Sequence, residues 1–395
     1  MAPHEPYAYP FEREVPTEPP SLYARLQREE PVAPVRLPTG DPAFVVTRYE
    51  DTKLVLSDPR FSNNRNRPGV ARPVAMARDD SMVGMDPPDH TRLRRLVSRA
   101  FTARRAESYR PFIERTVHEL LDQMADTGAP ADLVPSVAEP LPVAVICDLL
   151  GVPFADRVTL RELSGKLVSF TAFSFEEMAR ARMQLRDFMA DLIAIKRAAP
   201  GDDVMSAMIA ARDEGDKLSE SELVSQGMLL LVAGHESSVS HIGNAVVALL
   251  RHPDQLKLVR DDPSVLPTAI EELLRIAPPG DGGQVRVALE DTELSGTVIP
   301  AGSLVLACLP TANRDPRQFD GPDELDVTRA DTRHLSLGHG GHFCLGAALL
   351  RVELQVLYPA LFQRFPGLRL AVPAGDLRWQ RGLRLSGYAQ IPVTW

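Results

Sequence analysis

A chain of 395 residues, 44% of them hydrophobic and 25% charged, is long enough for a large core or two domains and has the polarity of an ordinary soluble protein. The formal net charge of −9 argues against general nucleic-acid binding, and with five lysines (Lys53, Lys166, Lys196, Lys217, Lys257) nearly all positive charge is arginine. Three scattered cysteines fit a reducing compartment, the opening M-A-P-H-E-P-Y-A-Y-P-F lacks an apolar signal core, and no apolar run approaches the ~20 residues that span a bilayer, so a cytoplasmic protein without a membrane anchor is expected.

Residues 1–20, rich in proline and glutamate, read as an extended lead-in. A short helix over Ser21–Glu29 is followed by alternating stretches at Val32–Leu37 and Phe44–Thr47 around a P-T-G-D turn, then by a helix over Tyr49–Ser57. The stretch from Ser62 to Pro88 is irregular, and a loop that long inside a compact domain is usually functional or mobile. From His90 to about Arg197 the apolar spacing is helical, as at Phe112, Val117, Leu120, Leu121 and Met124, with breaks at Gly151-Val152-Pro153 and Phe170–Phe175. Further helices are expected over Met205–Arg212, Ser219–Arg251 and Leu266–Arg275; the centre of the second is apolar almost all round, as in a helix buried in a large protein. Short strands follow at Gln284–Ala288, Thr297–Ile299 and Ser303–Leu309, then a loop-rich meander from Asn313 to Arg333, a helix from about Leu345 to Phe365, and strand-like pieces at Leu383–Leu385 and Ala389–Val393. The fold class expected is mainly α with a minor β part, in one domain over residues 1–395: β-rich near 32–47 and 284–309, with a helical core near 90–275 and 345–365.

Just before the last long helix, a loop containing Gly338, Gly340 and Gly341 delivers Cys344 to the helix mouth. Glycines let the backbone turn sharply and approach a flat object, and a thiolate at a helix N-terminus is favoured by the dipole. The loop alone leaves three readings open: an inert buried cysteine, a zinc site using His334, His339, His342 and Cys344, and an axial thiolate to haem iron. Zinc sites usually draw ligand pairs from two places, and Cys147 and Cys308 stand alone.

Four other patterns bear on the choice. Glu272 and Arg275 are three apart on one helix face, although most such pairs are solvated bridges. Ala312 to Pro316 reads A-N-R-D-P, with Phe319 and Arg329 further along the meander. The longest helix carries Ala233-Gly234-His235-Glu236-Ser237-Ser238, which on composition alone is a buried helix with one awkward glycine and hydroxyls bonded back to the preceding turn. His90 and Arg94 lie four apart, closing the run M-D-P-P-D-H; alone they read as surface charge.

Together these resemble the cytochrome P450 family. The cysteine loop nearly matches the signature FGxGxHxCxG at Gly338, Gly340, His342, Cys344 and Gly346, with Leu337 in place of the usual phenylalanine. By that resemblance Cys344 is the axial ligand of haem b, and His90, Arg94, Arg286 and His342 bind its propionates. Glu272, Arg275 and Arg329 form the buried ExxR triad. Ala233, Gly234, Glu236 and Ser237 form the oxygen-activation segment, where the glycine admits oxygen, the acid relays protons and serine replaces the usual threonine. Without the β-methyl, looser hydrogen-bond geometry is expected at Ser237. Substrate contacts are implied at Met82 and Val83, at Phe170 and Phe173, at Val232, at Gly282, Gly283 and Gln284, and at Leu383. The two glycines leave room beside the haem edge for a bulky substrate.

The resemblance implies a monooxygenase that takes dioxygen and two electrons from a separate ferredoxin and ferredoxin reductase. The opening A-Y-P-F and the run F-T-A-R-R-A-E-S are similar to actinobacterial enzymes tailoring macrolides and other polyketides, so hydroxylation or epoxidation of such a metabolite is expected. Arg92, Arg95, Arg99, Arg104 and Arg105 form a basic stretch on which an acidic ferredoxin would dock, and a monomer that binds neither nucleic acid nor membrane is expected. The alternatives are a terpenoid or steroid substrate, a peroxide- or nitric-oxide-using relative, a non-catalytic haem binder, and a zinc hydrolase that lacks a convincing ligand set.

Overall fold

The computed structural model describes residues 5–64, 66–67, 81–169, 171–213 and 218–395. Much of the Ser62–Pro88 loop, with Arg65, and also Phe170 lie outside the described residues. Helices α1 (Ser21–Glu29), α2 (Tyr49–Ser57), α3 (Asp89–Ser98), α4 (Ala103–Ser108), α5 (Arg110–Thr127), α6 (Pro140–Leu150), α7 (Arg157–Leu167), α8 (Phe175–Ala198) and α9 (Val204–Asp213) precede the long α10 (Glu220–Arg251). After it come α11 (Pro253–Asp261), α12 (Leu266–Ile276), α13 (Leu309–Ala312) and α14 (Ala347–Arg364).

The helix ends have local causes. Gly151 closes α6 in the left-handed conformation at φ 66°. Ser174 and Glu177 form a capping box at the start of α8, and Ser219 and Glu222 form another at the start of α10. Where a strand was expected to run on to Leu309, the chain turns into α13 instead, because Pro310 has no N–H for a ladder and suits a first helical turn.

The largest sheet has the order β1-β2-β3-β9-β6-β4, built from Tyr7–Ala8, Val32–Arg36, Pro42–Val46, Leu304–Ala307, Gln284–Ala288 and Phe61–Ser62. Strands β2 and β3 form the expected hairpin, and β3 then pairs in parallel with β9, Ala43 opposite Leu304. Residues far apart in sequence thereby fix the position of β6. A ribbon of β7 (Thr292–Leu294) and β8 (Thr297–Ile299) and a small sheet of β10 (Arg369–Leu370), β11 (Pro392–Thr394) and β5 (Ala131–Asp132) complete the β part. Leu383–Leu385 forms no strand; a single bridge joins Leu383 to Ser169.

The lead-in is packed rather than merely extended. Tyr9 and Phe11 are buried, the Tyr9 hydroxyl accepts from the Gly283 N–H at 3.0 Å, and Arg13 grips the Asp281 carboxylate at 2.6 and 2.7 Å while lying 3.6 Å above the Trp379 ring. The main core lies among α5, α6, α10, α12 and α14, where Val117, Ile146, Ile242, Leu273 and Leu357 are buried together.

Candidate active site

The cysteine loop is built by its glycines. Gly338 and Gly340 have φ of 77° and 70°, and a Cβ on Gly340 would sit 2.9 Å from the Ser57 Cβ, so the loop is pressed against the end of α2. The Cys344 N–H donates to the Leu337 carbonyl at 2.7 Å, and the Leu337 side chain is buried. Helix α14 starts at Ala347, with Gly346 as its cap, so Leu345 belongs to the loop. Burial pushes the Cys344 thiol up, opposed by the Gly346 N–H and by Arg94 and Arg351. The helix end alone does not ionise it, and a thiolate here calls for a cationic partner bound to sulfur.

The zinc donors diverge. His334 Nε2 meets Glu271 Oε2 at 3.2 Å, and Arg351 holds the same carboxylate at 2.6 and 2.8 Å. His342 stacks on His90 with ring centroids 3.8 Å apart. Among the described residues no three His, Cys, Asp or Glu side chains gather to hold a metal ion.

A cationic cluster gathers instead. His90 from α3 and His342 from the loop each bury an Nε2 without a hydrogen-bond partner. Arg94, one turn after His90, donates to the Phe343 carbonyl at 2.6 Å, and Arg286 on β6 is buried with Nη1 on the Val285 carbonyl at 2.9 Å. Burial, then His90, Arg286 and Arg94, push His342 down to about 3. Like charges and unused imidazole nitrogens brought together in this way form a site for a polyanion, and the two carboxylates of a porphyrin fit it.

Behind the loop, Arg275 Nε and Nη2 bind Glu272 at 2.7 and 2.8 Å, with both side chains fully buried. Arg275 also bonds the carbonyls of Asn313, Pro322 and Glu324, and Arg329 Nε reaches Glu272 Oε2 at 3.1 Å. The fork of donors ties α12 to the meander, and Asn313 passes that order to the loop through Leu335 and Ser336 at 2.7 Å each.

At the centre of helix α10 Ala233 is exposed although Leu230, Leu231 and His235 beside it are buried. Ser237 follows one turn later on the same face. Gly234 points elsewhere, since a Cβ there would lie 2.5 Å from Ile146 on α6; close helix packing requires this glycine, and the sequence reading of an oxygen gap at that spot is corrected. The bond back to this turn comes from Ser240, whose hydroxyl donates to the Glu236 carbonyl at 3.3 Å. The Glu236 carboxylate turns toward α7, where Ser164 donates to it at 2.8 Å.

The cytochrome P450 family matches residues 11–164 and 166–368. The chain belongs to the cytochrome P450 family. It is 47% identical to the mycinamicin IV hydroxylase/epoxidase of Micromonospora griseorubida over the full length of both chains, and 46% identical to the nocardicin C N-oxygenase of Nocardia uniformis subsp. tsuyamanensis over 98% of each. The structure of SgvP, from the tailoring step of griseoviridin, superposes with a TM-score of 0.97 at 50% identity, covering 99% of this chain and all of that one. The protein is therefore a cytochrome P450 monooxygenase whose prosthetic group is haem b, and it works with a substrate, dioxygen and redox partners.

In this P450 the substrate-contact candidates divide. Phe173 and Leu383 line a cavity of about 230 Å³ together with Glu236. Met82 is buried, Val83 and Gln284 are exposed, and Val232 is half-buried next to Ala233. Gly282 and Gly283 do not open substrate space: a Cβ on Gly283 would meet Leu306 at 2.9 Å, and one on Gly282 would meet the Arg384 carbonyl at 3.3 Å. Sequence reasoning missed Ser164, Arg161 and Glu139, which surround Glu236, and passed over His235 inside its own motif. Only the histidine beside the acid was a usable signal. No helix among the described residues is long and apolar enough to cross a membrane.

Proposed function

We propose that this P450 hydroxylates or epoxidises a bulky secondary metabolite of the macrolide or polyketide kind. The observation that supports it most is the cationic cluster beside the Cys344 loop, taken with the exposed Ala233 of α10. In this reading Cys344 ligates the iron, His90, Arg94, Arg286 and His342 hold the haem carboxylates, and Gly346 lets the loop backbone come close. Glu272, Arg275 and Arg329 keep the loop in register. Bound haem supplies dioxygen activation and insertion of one oxygen atom into substrate. Glu236 and Ser237 govern the proton on the oxygen side, and Ala233 shapes that face.

The substrate class rests on the relatives, whose names include a mycinamicin IV hydroxylase/epoxidase. Electrons come from a ferredoxin and its reductase, and the exposed Arg95 on α3 and Arg99 just after it suit an acidic partner. The chain acts as one domain, a cytoplasmic monomer.

A spectral-shift screen against macrolide, polyketide and steroid panels tests the substrate. It is paired with product analysis under dioxygen and a surrogate ferredoxin system. Binding and oxidation of a macrolide or polyketide support the proposal, and turnover confined to steroids overturns it. A reduced carbon monoxide adduct without the thiolate red shift, in intact protein, would remove Cys344 as ligand. An unchanged yield of product per electron in Ser237→Ala would remove Ser237 from proton control.

A further inference from the structure

We infer that His235 and Glu236 hold one exchangeable proton between them, a proton store on the flank of α10 linked through Ser164. The reason lies in the hydrogen bonds around Ser164. His235 Nδ1 lies 2.7 Å from the Leu231 carbonyl, which can only accept, so Nδ1 carries a hydrogen in every state that keeps this contact. The other nitrogen, Nε2, lies 2.9 Å from Ser164 Oγ and 3.2 Å from Glu236 Oε1. Ser164 Oγ is in turn 2.8 Å from Glu236 Oε1 and 2.9 Å from the Arg161 carbonyl.

With a neutral imidazole and an ionised carboxylate, Nε2, Oε1 and the Arg161 carbonyl would all be acceptors, and one serine hydrogen would have to serve the three. The serine would then satisfy only one of Nε2 and Oε1 at a time, with His235 and Ser164 at 2% and 0% exposure and the Glu236 side chain at 17%. A buried imidazole nitrogen left without a donor is costly. One added proton resolves the conflict, either on Nε2 donating to Ser164 Oγ, which donates to Glu236 Oε1, or on Oε1 donating to Ser164 Oγ, which donates to Nε2. These two states have the same total charge and differ only in where the proton sits.

The surroundings suit exchange. Arg161 on α7 binds Glu139, before α6, at 2.8 Å; burial, then Glu236 against the pull of Arg161, leaves Glu139 raised. Glu162 and Lys166 of α7 and Tyr388 of the C-terminal segment line the same cavity of about 230 Å³, next to His235 and Glu236. Release of the proton from Glu236 Oε1 leaves a bare Nε2 and an ionised carboxylate bridged by Ser164. A solvent proton taken up through the cavity restores the pair. The use of that proton on the Ala233–Ser237 face rests on the monooxygenase reading, whereas the store is a property of the fold.

The test is nitrogen-15 NMR of the histidine rings with infrared detection of protonated carboxyls, on haem-loaded protein in its reduced, carbon monoxide-bound form at neutral pH. The expected result is a His235 imidazolium or a protonated Glu236, lost as one proton in Glu236→Gln, which leaves His235 neutral with its hydrogen on Nδ1. Ser164→Ala removes the link between the two groups, so the shared proton is expected to be lost there as well. A neutral His235 beside an ionised Glu236 in the wild type overturns the inference, as does a His235 signal unchanged in Glu236→Gln. Neither readout depends on turnover, so failure of the substrate assays leaves this result standing and fails the proposed function alone.

Discussion

His90 and His342 stack their imidazoles 3.8 Å apart at 29°, each with a buried Nε2 that has no protein partner. Two such nitrogens side by side are a costly arrangement unless a ligand uses them. His342→Ala, which removes one charge-assisted hydrogen bond worth roughly 1.5 kcal/mol or more, is expected to raise the rate of haem loss about tenfold. Transfer of haem to an excess of haem-free myoglobin measures it, and an unchanged rate refutes the assignment.

Arg275→Ala leaves the Glu272 carboxylate buried and short of its main partner and deprives three carbonyls of a donor. A loss of roughly 3–5 kcal/mol is expected from urea unfolding of the haem-loaded protein. Arg275→Lys keeps the charge but not the planar fork, so most of the loss should persist. Arg329→Ala, whose guanidinium is partly exposed, should cost less.

Glu353 on α14 is 2% exposed, its Oε2 has no partner, and burial pushes it from 4.5 up to about 8. Between these values the folded chain keeps a proton that the unfolded chain has released. Its contribution is therefore fully present below 4.5 and lost as pH rises through 8. Glu353→Gln is expected to flatten the fall in unfolding midpoint over that window, and the same slope in both proteins would contradict the burial account.

Gly283→Ala drives a methyl group into Leu306 on the neighbouring strand β9, with its Cα 3.2 Å away. Overpacking of about 1–3 kcal/mol is expected in thermal unfolding. Substrate preference should change no more than stability does, because the methyl enters the sheet and not the pocket. A switch in preference without destabilisation would restore the reading that this glycine makes room for substrate.

Much of this was legible because its causes are local. The boundaries of α1 and α2, the capping serine of α10 and the short runs that carry Glu272 with Arg275 and Gly338 with Cys344 are written in neighbouring letters. What stayed hidden depends on contacts remote in sequence. Ser164 meets His235 across 71 residues, Gly283 owes its identity to Leu306, and Gly234 owes its own to Ile146. Two-residue strands such as β5 and β10 exist only through their pairing with other segments, so no local pattern marks them.

The clamp of Arg13 on Asp281 and Trp379, with Tyr9 beneath Gly283, makes the two ends of the chain mutually dependent. Trimming back to the first helix would untie the glycine turn before the strand bearing Arg286, and with it the Trp379 segment that leads to Leu383. Damage at the far N-terminus would then register as a change in haem and substrate binding more than 270 residues away.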